Sequence, residues 1–126
     1  MPKSVLIVED EANIGIALEY LMRKDGYELR RVEDGEAALA AVEASPPDLI
    51  LLDVMLPSRS GYDLCQTIRL NPALNRTKIL LMTAKGGRNE REKGLALGAD
   101  GFIAKPFATA DLRAQVLRLL GDEPEK

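Results

Sequence analysis

The chain alternates between short apolar runs and longer stretches with helical spacing, and this alternation limits the folds that it can adopt. Four apolar runs predict buried strands: Val5–Val8, Leu49–Leu52, Ile79–Met82 and Phe102–Ala104. A weaker fifth candidate, expected near an edge of the sheet, lies at residues 28–32. Because a helix-like stretch follows each strand, we predict an α/β fold whose parallel sheet carries helices on both faces.

The helical stretches have recognisable faces and ends. The first shows apolar residues at Ile14, Leu18, Leu21 and Met22, which share one side of a helix. Ser60 and Thr109 are the expected N-caps of the third and fifth helices. Three glycines are expected in left-handed positions after helix ends: Gly26, Gly98 and Gly121. The fourth helix, about 88–97, has few apolar anchors, and this predicts thin packing.

Length and composition narrow the range of functions. A chain of 126 residues has the size of one domain, so we expect residues 1–120 to form it and 121–126 to be a charged tail or the start of a linker. The absence of histidine excludes a Ser–His–Asp triad and a histidine-ligated zinc within this chain. A net charge of −3 without a basic tract argues against direct binding of nucleic acid.

The same composition suggests where the chain works. Its lone thiol, Cys65, cannot form an internal disulfide and suits the reducing cytosol, and we expect it to be an inert, buried residue. No apolar run approaches the ~20 residues that a membrane span needs. We therefore expect a cytoplasmic protein without a membrane partner.

The residues that end the predicted strands carry the chemistry. Glu9-Asp10-Glu11 follows the first strand, Asp53 the third, Thr83 the fourth, and Lys105-Pro106 the fifth. Ligands of open parallel sheets bind outside the carboxyl ends of the strands, so these side chains are expected to converge on one pocket. Close carboxylates repel one another, and a hard divalent ion with oxygen ligands relieves this repulsion. Mg²⁺ fits best, because it accepts few carboxylates and bridges to phosphate.

One of these carboxylates is well placed to be a nucleophile. Asp53 lies centrally, at the end of the most apolar strand, and a carboxylate can attack phosphorus to form an acyl phosphate. Glu9 and Asp10 can hold the ion while Thr83 donates a hydrogen bond to a phosphoryl oxygen. Lys105 can neutralise another oxygen as a point charge. The pattern predicts a phosphoacceptor.

With these residues in place, the chain resembles the receiver domains of bacterial two-component response regulators over about residues 4–120. The motifs that carry the resemblance are Val8-Glu9-Asp10-Glu11, Leu51-Leu52-Asp53-Val54-Met55-Leu56-Pro57, Gly61, Thr83-Ala84, Gly98-Ala99-Asp100 and Phe102-Ile103-Ala104-Lys105-Pro106-Phe107. Each motif alone is weak, but together and in order they are highly specific.

The resemblance implies a doubly wound, flavodoxin-like (βα)5 sandwich of three layers with strand order 2-1-3-4-5. It also implies that a histidine kinase or a histidine phosphotransfer protein phosphorylates Asp53. The metal ligands would be Glu9, Asp10, Asp53 and the backbone carbonyl of Met55, and the Lys105–Pro106 bond would be cis. Such a domain is not an enzyme in the ordinary sense, because it catalyses only its own phosphorylation and dephosphorylation.

The resemblance further implies a switch. The phosphoryl group would draw the Thr83 hydroxyl inward and Phe102 would follow, which would change the surface of the fourth helix, fifth strand and fifth helix for a downstream effector or output domain. Whether phosphorylation also drives a homodimer through this surface stays open, and Phe102 could equally be simple core. Met55 and Lys85 flank the pocket at positions that tune phosphate lifetime, and an apolar Met55 suggests slow self-dephosphorylation.

Three other functions are weaker matches. A hydrolase with an aspartyl-phosphate intermediate needs an acid at the position of Met55, and a flavin carrier needs a hydroxyl-rich loop where Glu9–Glu11 lies. A binding module that is never phosphorylated would not need the complete set of pocket residues. The sequence leaves open whether the domain stands alone or belongs to a longer regulator.

Overall fold

The computed structural model describes residues 2–84 and 87–121, and there it contains five strands and five α-helices in alternation. The strands are β1 (Ser4–Val8), β2 (Glu28–Val32), β3 (Leu49–Asp53), β4 (Lys78–Thr83) and β5 (Gly101–Ala104). The helices are α1 (Ala12–Lys24), α2 (Gly35–Ala44), α3 (Gly61–Arg69), α4 (Arg88–Ala96) and α5 (Thr109–Leu120), with a 3₁₀ turn at Pro72–Leu74 before β4. The alternation predicted from the sequence is therefore confirmed.

All five strands pair in parallel in the order β2-β1-β3-β4-β5, and this confirms the predicted doubly wound fold. The expected edge strand, β2, lies at one border of the sheet. The chain leaves β1 toward β2 on one side and later returns to β3 on the other side. The order thus reverses between β1 and β3, and the carboxyl ends of these strands form the crevice where such folds bind ligands.

Each face of the sheet has its own apolar core, which explains why the strands are continuously apolar. Within β3, Leu49 and Leu51 contribute to the core that α1 and α5 cover, whereas Ile50 and Leu52 contribute to the core beneath α2 and α3. All four side chains are buried. Asp53 ends this strand as the first polar side chain after four apolar ones.

The predicted helix ends are confirmed with one exception. The Ser60 hydroxyl accepts a hydrogen bond from the Asp63 N–H at 3.1 Å, and the three expected glycines have φ values between 74° and 108°. Thr109 is not an N-cap, because Ala108 occupies that position with an extended backbone and Thr109 is already helical. The apolar spacing identifies the buried face of α5, but the loop before the helix sets its first residue. The predicted tail beyond Gly121 lies outside the described residues.

Helix α4 is thinly packed, as predicted: Gly94 is its one buried residue among positions 88–96. A Cβ on Gly94 would lie 2.7 Å from Leu81 Cδ1, so the missing side chain lets the helix backbone approach β4. Polar contacts hold the outer side. The Tyr62 hydroxyl donates to Glu90 at 2.6 Å, and the Lys93 ammonium lies 4.4 Å from the centre of the Tyr62 ring. Among the described residues, no helix is long and apolar enough to cross a membrane.

Candidate functional site: an acidic pocket at the carboxyl edge of the sheet

The polar residues that follow the strands meet at the carboxyl edge of the sheet. Carboxylate oxygens of Glu9, Asp10 and Asp53 all lie within 4.8 Å of one another. Glu9 and Asp53 are buried, whereas Asp10 is exposed at the mouth. Oxygen ligands at this spacing suit a small, hard divalent cation such as Mg²⁺. The donor set therefore fits the predicted metal.

Lys105 brings the positive charge of the pocket. Its ammonium lies 2.7 Å from Glu9 Oε1 and 3.3 Å from Asp53 Oδ2, with 14% of the side chain exposed. Burial lowers the pKa of Lys105, but the hydrogen bond to Glu9 and the charge of Asp53 outweigh burial and raise it above the ordinary value. The Lys105–Pro106 bond is cis, as the resemblance implies, and the Lys105 N–H donates to the Thr83 carbonyl at 2.7 Å.

Glu9 is fully buried and is held at both its backbone and its side chain. Its N–H donates to the Val32 carbonyl at 3.1 Å, and its Oε2 accepts from the Glu11 N–H at 3.2 Å. Burial raises the pKa of Glu9 to about 7, and the hydrogen bond from Lys105 opposes this while the neighbouring Asp53 adds to it. The hydrogen bond from Lys105 therefore does not offset the cost of burying the Glu9 carboxylate.

Asp53 lies between the sheet and the loop that follows it. Its Oδ1 accepts from the Met55 N–H at 3.1 Å, and the next N–H, that of Val54, donates to the Met82 carbonyl at 2.9 Å. Gly61, the first residue of α3, packs so closely on the Asp53–Val54 backbone that any side chain there would displace the strand end. The carboxylate is thus fixed from both directions.

The response regulator receiver domain family matches residues 5–117 of this chain. The chain belongs to this family. As a receiver domain of the two-component type, it is a signalling module. The strand order and the position of the acidic pocket are what this assignment requires.

Curated relatives support the assignment. The chain is 39% identical over 120 residues to the phosphate regulon transcriptional regulatory protein PhoB of Rhizobium meliloti, covering 95% of this chain and 52% of that protein. It is 42% identical over 123 residues to the sensory transduction protein RegX3 of Mycobacterium tuberculosis, covering 95% and 53%. The receiver domain thus spans about half the length of the curated relatives it matches.

Solved structures agree with the fold. The receiver domain of sensor histidine kinase PA1611 from Pseudomonas aeruginosa, solved with a magnesium ion in its active-site cleft, gives a TM-score of 0.87 at 32% identity. That comparison covers 96% of this chain and 99% of the other. The chemotaxis response regulator CheY4 of Vibrio cholerae gives a TM-score of 0.89 at 28% identity, covering 94% and 99%.

Within this receiver domain, the two expected switch residues are both buried. Thr83 ends β4 one residue beyond Met82, which is the register partner of Asp53, and it pairs with Ala104 of β5. Phe102 belongs to the core on the α2–α3 face, close to Gly94 of α4. In this conformation Phe102 is therefore core, and its movement stays a prediction.

The two expected flanking residues have different outcomes. The Met55 side chain is 66% exposed beside the pocket, while its N–H is bound to Asp53. Metal binding by the Met55 carbonyl stays a prediction. Lys85 lies outside the described residues. Cys65 is buried, and burial raises the pKa of its thiol to about 11, so it is held as the neutral thiol.

Two features of the site were not foreseen from the sequence. Arg31 on β2 donates from Nη1 to the Glu9 carbonyl at 3.3 Å, although the weak pattern of an edge strand gives no sign of which face an arginine takes. A groove of about 560 Å³ also opens beside Lys105, between α1 and the segment before α5. Its apolar lining includes Ile14, Leu21 and Phe107.

Proposed function

We propose that Asp53 is the phosphoacceptor of this receiver domain and that Glu9 and Asp10, together with Asp53 and the Met55 carbonyl, hold Mg²⁺ beside it. One observation carries the proposal. The Asp53 carboxylate lies 3.3 Å from the Lys105 ammonium and shares a cluster of 4.8 Å span with two other carboxylates. A nucleophile, a neutralising cation and a set of metal ligands are therefore all within reach of one phosphoryl group.

The chain's own residues account for the transfer. A carboxylate oxygen of Asp53 attacks phosphorus in line with the leaving group, and the new O–P bond forms as the bond to the leaving atom breaks. The electron pair of the broken bond stays with the leaving group. Lys105 stabilises negative charge on one phosphoryl oxygen and Thr83 donates a hydrogen bond to another. When bound, Mg²⁺ supplies positive charge to the phosphoryl oxygens and relieves the repulsion among the carboxylates.

We further propose that the donor is a histidine kinase or a histidine phosphotransfer protein. A protein donor must cover the surface next to Asp53, and the groove beside Lys105 provides an apolar contact there. On helix α1, which forms one side of the groove, Ile16 and Tyr20 are 59% and 63% exposed. Continuous apolar surface that is open to solvent, as in this groove, is typical of docking sites.

The output is expected on α4, β5 and α5. The thin packing of α4 makes it the element that a change at Thr83 and Phe102 can move most easily. A downstream effector or an attached output domain would then discriminate between the two forms, and a homodimer through the same surface is one form of this response. Residues 1–120 would act as the receiver unit of a cytoplasmic regulator.

We also propose that the acyl phosphate is lost slowly. The exposed, apolar Met55 side chain follows the acceptor closely and offers no group to position an attacking water. The purified phosphorylated domain should keep its phosphoryl group for minutes when the donor is removed. Complete loss within seconds would contradict this part of the proposal.

The test of the whole proposal is intact-mass measurement after incubation with phosphoramidate and Mg²⁺. We expect one phosphoryl adduct in the wild-type chain and none in Asp53→Asn. Asp48→Asn is the matched control, because Asp48 immediately precedes the same strand and accepts from the Ser4 N–H at 2.8 Å, at the opposite edge. This variant should still be phosphorylated. An adduct that persists in Asp53→Asn would show that the acceptor is another residue.

A further inference from the structure

Arg31 joins the edge strand β2 to the segment that carries the acidic pair. Its guanidinium donates to the Glu9 carbonyl at 3.3 Å and lies 3.1 Å from Glu19 on α1 and 3.3 Å from Glu33. Only 17% of the side chain is exposed. An arginine so well buried, with partners on three segments, is held in one orientation.

The contact fixes Glu9 after regular strand pairing has ended. Strand β1 stops at Val8, yet the Glu9 N–H still donates to the Val32 carbonyl and the Glu9 carbonyl accepts from Arg31. Both polar groups of the Glu9 main chain are thereby bound to β2 or to its side chains. Glu11 at the N-cap of α1 makes no side-chain capping bond, and the other contacts of this turn include those that the Glu9 side chain accepts from the Glu11 N–H and from Lys105.

Helix α1 is shaped to admit this arginine. A Cβ on Gly15 would overlap the guanidinium, with Arg31 Cζ only 2.8 Å away. Gly15 lies in the interior of α1, where glycine is unfavourable for helix stability. Its presence there is explained by the guanidinium packed against the helix backbone.

From this geometry we propose that Arg31 is a positioning residue, which holds the turn at Glu9 and Asp10 so that both carboxylates face the divalent cation. The inference rests on the proposed function and deepens it, because it assigns the support of the metal ligands to a residue outside the pocket. Residues that orient metal ligands typically change metal affinity 10–100-fold when they are removed. Arg31 would act in this way through the main chain of Glu9.

The neighbouring Arg30 offers a matched control. It lies on the same strand but faces α2, where its guanidinium donates to the Ala41 carbonyl at 3.1 Å and the Ser45 carbonyl at 2.5 Å. Both bonds support the end of a helix, and neither reaches the segment that carries Glu9 and Asp10. Loss of either arginine should lower the melting temperature, but only the loss of Arg31 should lower the affinity for Mg²⁺.

The experiment is a calorimetric titration of the full chain with MgCl₂. We expect Arg31→Met to raise the Kd for Mg²⁺ about tenfold and Arg30→Met to leave it unchanged. Phosphorylation of Asp53 by phosphoramidate should need more Mg²⁺ in Arg31→Met, yet reach the wild-type rate at saturation. If Arg31 had a purely structural role, its loss would not change the Mg²⁺ requirement while leaving the phosphorylation rate at saturating Mg²⁺ unchanged.

Gly15→Ala provides a second, independent perturbation that keeps the arginine. The new methyl group should displace the guanidinium, which is the flexible end of a side chain, and raise the Kd for Mg²⁺ while improving helix propensity. In the Arg31→Met background, Gly15→Ala should cause no further loss of affinity. Weaker metal binding by a variant that is fully folded at the temperature of the titration could not be attributed to unfolding.

The possible outcomes distinguish failure of the proposed function from failure of the role that we propose for Arg31. If the wild-type chain binds no Mg²⁺, the proposed function fails and takes this inference with it. If the wild-type chain binds Mg²⁺ and Arg31→Met or Gly15→Ala binds it equally well, the inference fails alone. An equal loss of affinity from Gly15→Ala with and without Arg31 would also overturn it.

Discussion

The parallel strands all begin at one side of the sheet, its amino edge, and all finish at the other, its carboxyl edge. At each of these two edges a basic side chain is partly buried against carboxylate groups, but the balance of charges differs. At the amino edge, Arg69 lies 2.6 Å from Asp100 and also donates to the carbonyls of Gly98, Leu74 and Thr77. The Asp100 carboxylate in turn accepts from the Ile79 N–H at 2.9 Å. One cation meets one anion, and further hydrogen bonds satisfy both partners.

At the carboxyl edge, within the part of the chain that the structure describes, the Lys105 ammonium contacts two carboxylates, and Asp10 adds a third to the cluster. The charges of the described residues there do not balance, and burial raises the pKa of Glu9 to about 7. A balanced cluster with satisfied hydrogen bonds needs no further partner, whereas we propose that the unbalanced cluster binds a cation and a phosphoryl group. The two edges therefore differ both in charge balance and in burial, since the Asp100 side chain is 29% exposed whereas that of Glu9 is fully buried.

The largest effect should follow from breaking the balanced edge. Arg69→Met leaves the buried part of Asp100 without its cation and removes the donor of three carbonyls. We expect the free energy of unfolding in denaturant to fall by about 3 kcal/mol. The folded fraction should bind Mg²⁺ with wild-type affinity. A loss of metal affinity without a loss of stability would reverse the assignment of the two edges.

The unbalanced edge should instead make stability depend on pH. The Glu9 carboxyl binds its proton more tightly in the folded chain, where its pKa is about 7, than at its ordinary pKa of 4.5. Its contribution to stability is therefore complete below about pH 4.5 and is lost as the pH rises through 7. A tenfold change in proton affinity corresponds to about 1.4 kcal/mol, so the free energy of unfolding should fall by up to about 3 kcal/mol over this pH range.

Denaturant unfolding in EDTA between pH 5 and 8 measures this loss. Glu9→Gln should flatten the dependence, since the amide cannot ionise. Glu43→Gln, which changes an exposed glutamate on α2, should retain the wild-type slope. A wild-type slope in Glu9→Gln would place the titrating group elsewhere.

Two buried threonines give a smaller, sharper comparison. At the amino edge, the Thr77 hydroxyl donates to the Pro47 carbonyl at 2.8 Å, and Thr77→Val should cost about 1–2 kcal/mol because it leaves that carbonyl unpaired. It should not change phosphorylation. At the carboxyl edge, Thr83→Val should slow phosphorylation by phosphoramidate about tenfold, the rate equivalent of one ordinary hydrogen bond. Equal phosphorylation rates in both variants would remove Thr83 from the site.

The sequence predicts the carboxyl edge better than the amino edge, for a physical reason. Apolar runs mark where strands end, so the sequence pattern alone assigns Glu9, Asp53 and Lys105 to one edge. Arg69 follows no such pattern, because its partners lie up to 31 residues away and depend on packing. Local propensity likewise misplaced Thr109, whose role is set by the preceding loop. Local propensity also does not indicate on which face of β2 the Arg31 side chain lies.

Calorimetric titration with Mg²⁺ tests the difference between the edges most directly, with one carboxylate removed from each. The wild-type chain should bind one Mg²⁺. Asp10→Asn, at the unbalanced edge, should weaken binding at least tenfold, whereas Asp100→Asn, at the balanced edge, should bind as the wild type does. Equal affinities in Asp10→Asn and Asp100→Asn, or no binding to the wild-type chain, would contradict the account.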